Sequence, residues 1–183
     1  AGYSVEADAP QLDERAFDHL FVESGASALA LELANRKFCE VAPRHPGMAV
    51  VAGDQVGVLR CNGDSRMLTK TPTVDAAVDQ LMAMSGTLHQ LLNGIVVGIL
   101  GPDEARRTVA GVDVQTVTMA AYDEKAARRY VEAHKPFDTA GSYRLEDDAG
   151  LVESVEGEHE SGVLGMPLPL LSRLLVELGL HGR

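Results

Sequence analysis

The sequence has few cysteines, few basic residues and little that could cross a membrane. Its 183 residues include two cysteines, Cys39 and Cys61, whose spacing fits neither a metal site, a redox pair nor a disulfide framework. The apolar stretch Leu91–Leu100 is interrupted by Asn93 and two glycines, and the N-terminus lacks a basic segment followed by an apolar one. These features predict a soluble protein of the reducing cytoplasm.

The shortage of basic residues excludes one class of partner. Sixteen Lys and Arg residues against 27 Asp and Glu give a net charge of −11, which repels a phosphate backbone. We therefore expect no duplex nucleic acid as a partner. A small anionic ligand stays open, because a few lysines and backbone N–H groups decide its binding locally.

Several catalytic signatures are also missing. No G-x-S-x-G, Walker A or G-x-G-x-x-G pattern occurs, and the six histidines form no H-x-x-x-H pair. The main signatures of nucleophile-elbow hydrolases, P-loop NTPases, dinucleotide enzymes and zinc hydrolases are therefore absent. His89, at the start of an apolar strand, is expected to be structural, and Ser142 and Ser161 are expected to be ordinary loop serines.

Helical and strand patterns alternate along the chain. Periodicity and capping residues predict helices over Ser27–Val41, Val74–Met84 with Thr73 as N-cap, a segment capped by Asp123 that runs through Ala133, and Pro169–Leu178. Apolar runs predict strands over Met48–Ala52, Val56–Arg60, His89–Leu100, Thr108–Met119 and Val152–Val155, the third and fourth forming a hairpin through Gly101-Pro102-Asp103. The mixture favours α/β or α+β in one domain over residues 1–183.

The first candidate for chemistry is Asp54, which follows the apolar run Met48–Ala52 and Gly53. This pattern predicts a carboxylate at the carboxyl end of a buried strand, where open α/β sheets gather their ligands. There it could hold a divalent cation or take a proton from water, two roles that phosphoanhydride hydrolysis needs. The alternative is an aspartate that caps a turn.

Three further charged residues could assist. Lys70 in Thr69-Lys70-Thr71-Pro72 could be a cation for phosphate oxygens, and Lys37 another phosphate contact. Glu14 of the Asp13-Glu14 pair could add a carboxylate for a metal. The alternatives are a solvated loop lysine for Lys70, a salt-bridged helix face for Lys37 and acidic surface for Glu14.

Five segments in register over almost the whole chain resemble the Maf-like nucleoside triphosphate pyrophosphatases. They are V-A-G-D-Q-V at 51–56, T-K-T-P at 69–72, M-S-G-T-L-H at 84–89, K-P-F-D-T-A-G-S at 135–142 and G-M-P-L at 165–168. The resemblance implies an α/β fold with a mixed central sheet and flanking helices, like that of the inosine triphosphate pyrophosphatases. It also implies cleavage of a nucleotide between its α and β phosphates, with Mg²⁺ or Mn²⁺ as the cofactor.

The resemblance also implies roles for residues. Asp54 matches the family's proton acceptor and a metal ligand, and Glu14 matches the acidic residue of its early D-E pair, a second metal ligand. Lys70 matches the loop lysine, and Lys37 a helix lysine near the same site. The expected partners are a nucleotide substrate and, as one option, a second copy of the chain in a homodimer; no membrane is expected.

Two residues point to one branch of the family. Gln55 after the aspartate and Glu146 in Tyr143-Arg144-Leu145-Glu146, together with Ala140-Gly141-Ser142, resemble the 7-methyl-GTP pyrophosphatases rather than the members that act on dTTP and UTP. A carboxylate accepts from the N1–H and exocyclic amine of guanine and favours the positive charge of an N7-methylated ring. The alternative for Glu146 is a place in a solvated acidic turn with Asp147 and Asp148.

The sequence also departs from the family. The family's S-x-S-P-R-R phosphate loop does not precede Ala1-Gly2-Tyr3, so the domain is expected to be N-terminally incomplete, with its first strand lacking or truncated. Either the sequence begins late, or this copy of the domain has lost the strand and its phosphate arginines. Thr69 replaces a common glycine, Thr139 a common lysine and Asn93 a common threonine. The alternative function is a non-catalytic nucleotide-binding protein with a regulatory role in cell division.

Overall fold

The structure is a computed structural model, and it describes residues 4–61, 63–101, 106–147 and 149–180. In these residues the helices are α1 His19–Ser24, α2 Ala26–Val41, α3 Val74–Met84, α4 Glu124–His134 and α5 Leu168–Glu177. The strands are β1 Ala49–Cys61, β2 Asp64–Leu68, β3 Leu88–Leu100, β4 Arg106–Met119 and β5 Val152–Glu156. Ala1-Gly2-Tyr3, and Pro102 and Asp103 of the predicted turn, lie outside the described residues.

The strands form one sheet in the order β2-β1-β3-β4-β5. The β1–β2 pair is antiparallel, with Gly57 opposite Leu68, and so is the β4–β5 pair, with Val117 opposite Val155. β3 and β4 are neighbours joined by a connection too short for a crossover, as predicted for a hairpin. Helices pack on this sheet, which confirms the predicted α/β class.

Local sequence accounts well for the two best-defined helix starts. The Thr73 hydroxyl accepts a hydrogen bond from Ala76 N at 3.3 Å, and Asp123 Oδ1 accepts one from Ala126 N at 2.8 Å. Each cap satisfies an N–H group that has no partner within its helix, so α3 and α4 begin where the sequence predicts.

The chain divides into two compact units, each with its own core. The first comprises residues 1–55, 93–113 and 165–183, and the second residues 56–92 and 114–164. In the first unit, α2 and the residue after it pack on the sheet in one cluster, and α5 and the residue after it in another. The first cluster joins Ala34, Phe38, Val41 and Ala42 to the strand residues Val50, Ala52 and Val96. The second joins Leu170, Leu174 and Leu178 to the strand residues Ile95 and Val97. The single-domain assignment stays a prediction.

The core of the second unit joins α3 and α4 to the strand segments of that unit. Its fully enclosed members include Leu59, Leu81, Met84, Met119 and Val131. No helix in the described part of the chain is both long enough and apolar enough to span a membrane.

Candidate functional site

Asp54 lies inside a strand and not at the end of one. β1 continues through Gly53, Asp54 and Gln55 to Cys61, so the two predicted strands are one, and the expectation of a strand-end or turn-capping aspartate is wrong. The reason is non-local. Gly53 lies against β3, where an added Cβ would come within 2.9 Å of Ile95 Cδ1. Because β1 packs closely on its neighbouring strand at this point, the strand continues through a glycine that the sequence pattern alone predicts to be its end.

Three of the predicted residues come together at the Lys37 ammonium. The Lys37 ammonium on α2 donates to Asp54 Oδ1 and lies 2.7 Å from Glu14 Oε1. The Asp54 and Lys37 side chains are only 11% and 17% exposed, whereas Glu14 is 41% exposed. Two carboxylates therefore converge on one ammonium, and the Asp54–Lys37 pair is the better shielded of the two contacts.

The environment of Lys37 keeps it charged. Burial by itself lowers the pKa of Lys37, but the hydrogen bonds and charges of Asp54 and Glu14 outweigh it and raise that pKa above its ordinary value. The predicted alternative of a salt-bridged helix lysine therefore holds for Lys37, and its partners are the candidate site residues themselves.

Polar contacts along α2 hold the segment that carries Glu14. The Arg36 guanidinium lies over the Phe17 ring, 5.2 Å from its centroid, and Gln11 N donates to Glu40 Oε1 at 2.7 Å. A single 3-10 turn, Glu14–Phe17, contains no buried residue. Glu14 is thus placed by α2, the same helix that supplies Lys37.

A close approach between α2 and β3 sets the position of that helix. An added Cβ at Gly94 would lie 2.3 Å from Ala30 O and 2.6 Å from Leu31 N, far inside normal contact distance. Ala30 and Lys37 are seven residues apart, two helical turns, so they share one face of α2. Gly94 therefore lets the face with Lys37 reach the strand that carries Asp54.

Gln55 takes part in a separate polar chain of the first unit. Its Nε2 donates to Asn93 Oδ1 at 2.9 Å, and Asn93 Nδ2 donates to Asp113 Oδ2 at 3.0 Å. Side chains of consecutive strand residues leave opposite faces, which explains why Gln55 does not join Asp54 at Lys37. The Asp113 oxygen accepts from the amide nitrogen of Asn93, which leaves the amide oxygen of Asn93 to accept from the amide nitrogen of Gln55.

Lys70 belongs to the second unit, in the exposed loop between β2 and α3. The charge of Lys70 reaches Asp138 in the same unit. The pKa of Asp138 is lowered by a backbone hydrogen bond, by the hydrogen bond and charge of Arg144, and more weakly by the charge of Lys70. The backbone on either side of Lys70 is anchored. Gln80 bonds to both backbone groups of Thr69, and the Thr71 hydroxyl bonds to Ser142 Oγ at 2.8 Å.

Glu146 is exposed on a 3-10 turn, Leu145–Asp147, of the second unit. The turn is anchored by Asp147, whose Oδ2 accepts from Tyr130 Oη at 2.5 Å and whose Oδ1 lies 3.4 Å from His134 Nδ1. A cavity of about 310 Å³ opens in this unit, with Arg144 among its lining residues and Glu146 not among them.

His89 is a buried structural residue, as its position in the sequence suggests. It is 1% exposed, and its Nε2 lies 2.9 Å from Tyr143 Oη, with the two rings edge to face. Burial lowers the pKa of His89 to about 4, so the imidazole is neutral near neutral pH.

The comparison with protein families identifies the chain. A family profile described as Maf-like protein matches residues 1–178. The chain belongs to the Maf-like protein family. The resemblance carried by the five sequence segments is thereby confirmed, and so is the fold class that it implies.

Curated relatives of this Maf-like protein are named 7-methyl-GTP pyrophosphatase. One from Pseudomonas aeruginosa is 36% identical over 177 residues, which cover 96% of this chain and 86% of the relative. One from Xanthomonas oryzae pv. oryzae is 34% identical over 175 residues, 94% and 84% of the two chains. A third, from Bdellovibrio bacteriovorus, is 29% identical over 174 residues, 94% and 85%.

Sequence reasoning missed the residues that support the candidate site of this Maf-like protein. Ser142 is no ordinary loop serine, because it is fully buried and hydrogen-bonded to Thr71 and Gln80. Asn93 and Asp113 were visible as polar interruptions of apolar strands, and such positions are buried only with partners. Their partners lie 20 or more residues away and could not be named from spacing.

Proposed function

We propose that this Maf-like protein is a nucleotide pyrophosphatase that hydrolyses 7-methyl-GTP, or a related modified nucleotide, to the monophosphate and pyrophosphate. The names of its relatives support the substrate class. The observation that carries the proposal is the shielded pair of Asp54 and Lys37, with Glu14 on the same ammonium. In this proposal Asp54 is the base, and the neighbouring Lys37, whose pKa is raised, stays protonated near neutral pH.

The chemistry proposed for Asp54 is proton removal from water. The resulting hydroxide attacks the α-phosphorus. The bond from that phosphorus to the bridging oxygen breaks, and pyrophosphate leaves with the electron pair of that bond. Lys37 holds the Asp54 carboxylate in one orientation, which reduces the rearrangement needed for reaction. Lys37 and Lys70 are proposed as cations for the pyrophosphate oxygens.

The charge of the cluster argues for a divalent cation. Glu14 and Asp54 against Lys37 leave one net negative charge, and a nucleotide triphosphate adds more. Mg²⁺ and Mn²⁺ prefer carboxylate oxygens, and Mg²⁺ is commonly held by one or two carboxylates together with substrate phosphates. The donors fit this pattern, so Asp54 and Glu14 are proposed to hold the cation. When bound, it would offset the charge of the phosphates.

Recognition of the base is proposed for Gln55 and Glu146. Gln55 is oriented by the chain through Asn93 to Asp113, so it offers a fixed amide. The exposed Glu146 carboxylate could accept from the N1–H and amine of guanine and would favour a cationic N7-methylated ring. A site built for such bonds discriminates strongly against bases that lack the matching groups.

The direct test is release of pyrophosphate by the purified protein with Mg²⁺ or Mn²⁺. We expect 7-methyl-GTP to be hydrolysed faster than dTTP or UTP, and equal rates would refute the branch assignment. Asp54→Asn should abolish turnover with an unchanged circular dichroism spectrum, whereas Asp79→Asn, a matched change at an exposed position, should not. Retained activity in Asp54→Asn would remove it as the base.

One result would favour the alternative function. Binding of 7-methyl-GTP by calorimetry without any release of pyrophosphate would indicate a non-catalytic nucleotide-binding protein with a regulatory role in cell division. A cytoplasmic location and a homodimeric assembly stay predictions.

A further inference from the structure

Hydrogen bonds from a buried side chain hold the backbone before Lys70. Gln80 on α3, only 2% exposed, accepts from Thr69 N at 3.1 Å and donates from Nε2 to Thr69 O at 2.9 Å. The same Nε2 donates to Ser142 Oγ at 2.9 Å. Because Thr69 presents one donor and one acceptor, this pairing fixes which end of the Gln80 amide faces which atom.

The backbone after Lys70 is held from a different part of the chain. Thr71, 7% exposed, shares a hydrogen bond of 2.8 Å with Ser142, which is fully buried. Ser142 has a φ of 58°, in the left-handed region that a residue with a Cβ adopts only at a cost. Its surroundings therefore hold it in a strained backbone position that brings its hydroxyl to both Thr71 and Gln80.

Apolar packing explains neither the buried amide of Gln80 nor the left-handed backbone of Ser142. Gln80 lies on α3 among apolar core residues, where a polar side chain is tolerated only when it is hydrogen-bonded. Its three bonds go to the loop residue Thr69 and to Ser142 and not to its own helix. Two separate segments thus use buried polar groups to fix the backbone on both sides of one exposed lysine.

We infer that Gln80 and Ser142 are positioning residues for Lys70: they hold the loop backbone that presents its ammonium to the polyphosphate of the substrate. They act on hydrolysis through Lys70 and do not contact the nucleotide. The inference rests on the proposed function, in which Lys70 is a cation for phosphate oxygens. A fixed backbone leaves only the side chain of Lys70 to be ordered on binding, which reduces the entropy cost.

A double-mutant cycle tests the inference. Gln80→Met removes the amide at similar size, and Lys70→Ala removes the ammonium. We expect Gln80→Met to lower kcat/KM for 7-methyl-GTP by about 10-fold or more with Lys70 present, since small misplacements of binding groups are costly. With Lys70→Ala in place, the same change should cost less than about 2-fold. An equal loss in both backgrounds would overturn the inference.

Two readouts separate positioning from a general loss of stability. Gln80→Met should divide its effect between kcat and KM in the same proportion as Lys70→Ala. Val78→Ala, a buried change on the same helix outside the network, should lower the thermal midpoint and keep kcat/KM within about 2-fold. If Val78→Ala loses as much activity as Gln80→Met, the role of Gln80 is only structural.

Conservative variants keep the test valid if Gln80→Met does not fold. Thr71→Ser retains the hydroxyl that meets Ser142, and Thr71→Val removes it at nearly constant volume. We expect Thr71→Ser to keep wild-type kcat/KM, and Thr71→Val to lose activity only when Lys70 is present. Wild-type activity in Thr71→Val, or equal losses in both variants, would overturn the role of Ser142.

The outcome is distinguishable from failure of the proposed function. If the wild-type protein releases no pyrophosphate from 7-methyl-GTP, the proposed function fails, and the same cycle is measured as binding of inorganic pyrophosphate by calorimetry. Weaker binding in Gln80→Met that depends on Lys70 would still support the inference. No effect of Lys70→Ala on either measurement, or equal weakening in both backgrounds, would refute it.

Discussion

Replacing Gly94 with alanine tests whether close packing of α2 on β3 sets the geometry of Lys37 and Asp54. The new methyl group would lie 2.3 Å from Ala30 O and 2.4 Å from its carbonyl carbon. Non-bonded carbon and oxygen atoms in normal contact are more than 3 Å apart, so α2 must move by about 1 Å. Neither contact is with a flexible side chain, so rotation of a side chain cannot relieve the clash.

The size of the effect follows from two opposing terms. Overpacking of this kind costs about 1–3 kcal/mol, whereas replacing glycine lowers the entropy of the unfolded chain and returns about 0.4–1 kcal/mol. We expect Gly94→Ala to lower the free energy of unfolding by about 1–2 kcal/mol. A displacement of about 1 Å at a site can cost about 100-fold in rate, so kcat should fall by 10-fold to about 100-fold.

A matched substitution provides the control. Gly111 also lies on a strand of the first unit, but an added Cβ there would meet Leu170 Cδ1 at 2.8 Å, the free end of a flexible side chain. Gly111→Ala should keep stability and kcat close to wild type. Urea unfolding and pyrophosphate release measure both quantities. A Gly94→Ala protein that is destabilised yet has wild-type kcat would refute the proposed link between packing and catalysis.

The remaining predictions concern charge, pH and capping. Lys37→Met should lower the free energy of unfolding by about 2 kcal/mol at pH 7, between the values for exposed and buried pairs. The difference in unfolding free energy between this variant and wild type, measured by urea titration, should shrink as the pH rises beyond 10.5, because Lys37, with its raised pKa, then loses its proton. A difference that stays constant with pH would contradict this. His89, with a pKa of about 4 when folded and about 6.5 when unfolded, should make stability fall by up to roughly 3 kcal/mol from pH 6.5 to 4. His89→Gln should remove that slope in the same titrations, and an unchanged slope would assign it to other groups. Asp123→Ala should cost about 1 kcal/mol of stability by thermal unfolding and Asp123→Asn much less, with equal losses speaking against the N-cap.

Short-range patterns predicted much of the fold because their causes are local. Helical spacing and the capping residues Thr73 and Asp123 located α3 and α4, and two apolar runs with a short connection gave the β3–β4 hairpin. The N-terminal helix α1 and the strand β2 were missed. α1 buries no residue and β2 is mostly exposed, so neither has a clear apolar period.

The sequence by itself determined the family, the α/β class and the residue types of the candidate site. These depend on residue identities at fixed spacings, which a linear chain displays. Only the tertiary structure decided that Asp54 lies within a strand, that Lys37 pairs with both Asp54 and Glu14, and that Gln55 bonds instead to Asn93. Strand pairing and the packing of α2 join segments far apart in sequence, so no local pattern encodes those contacts.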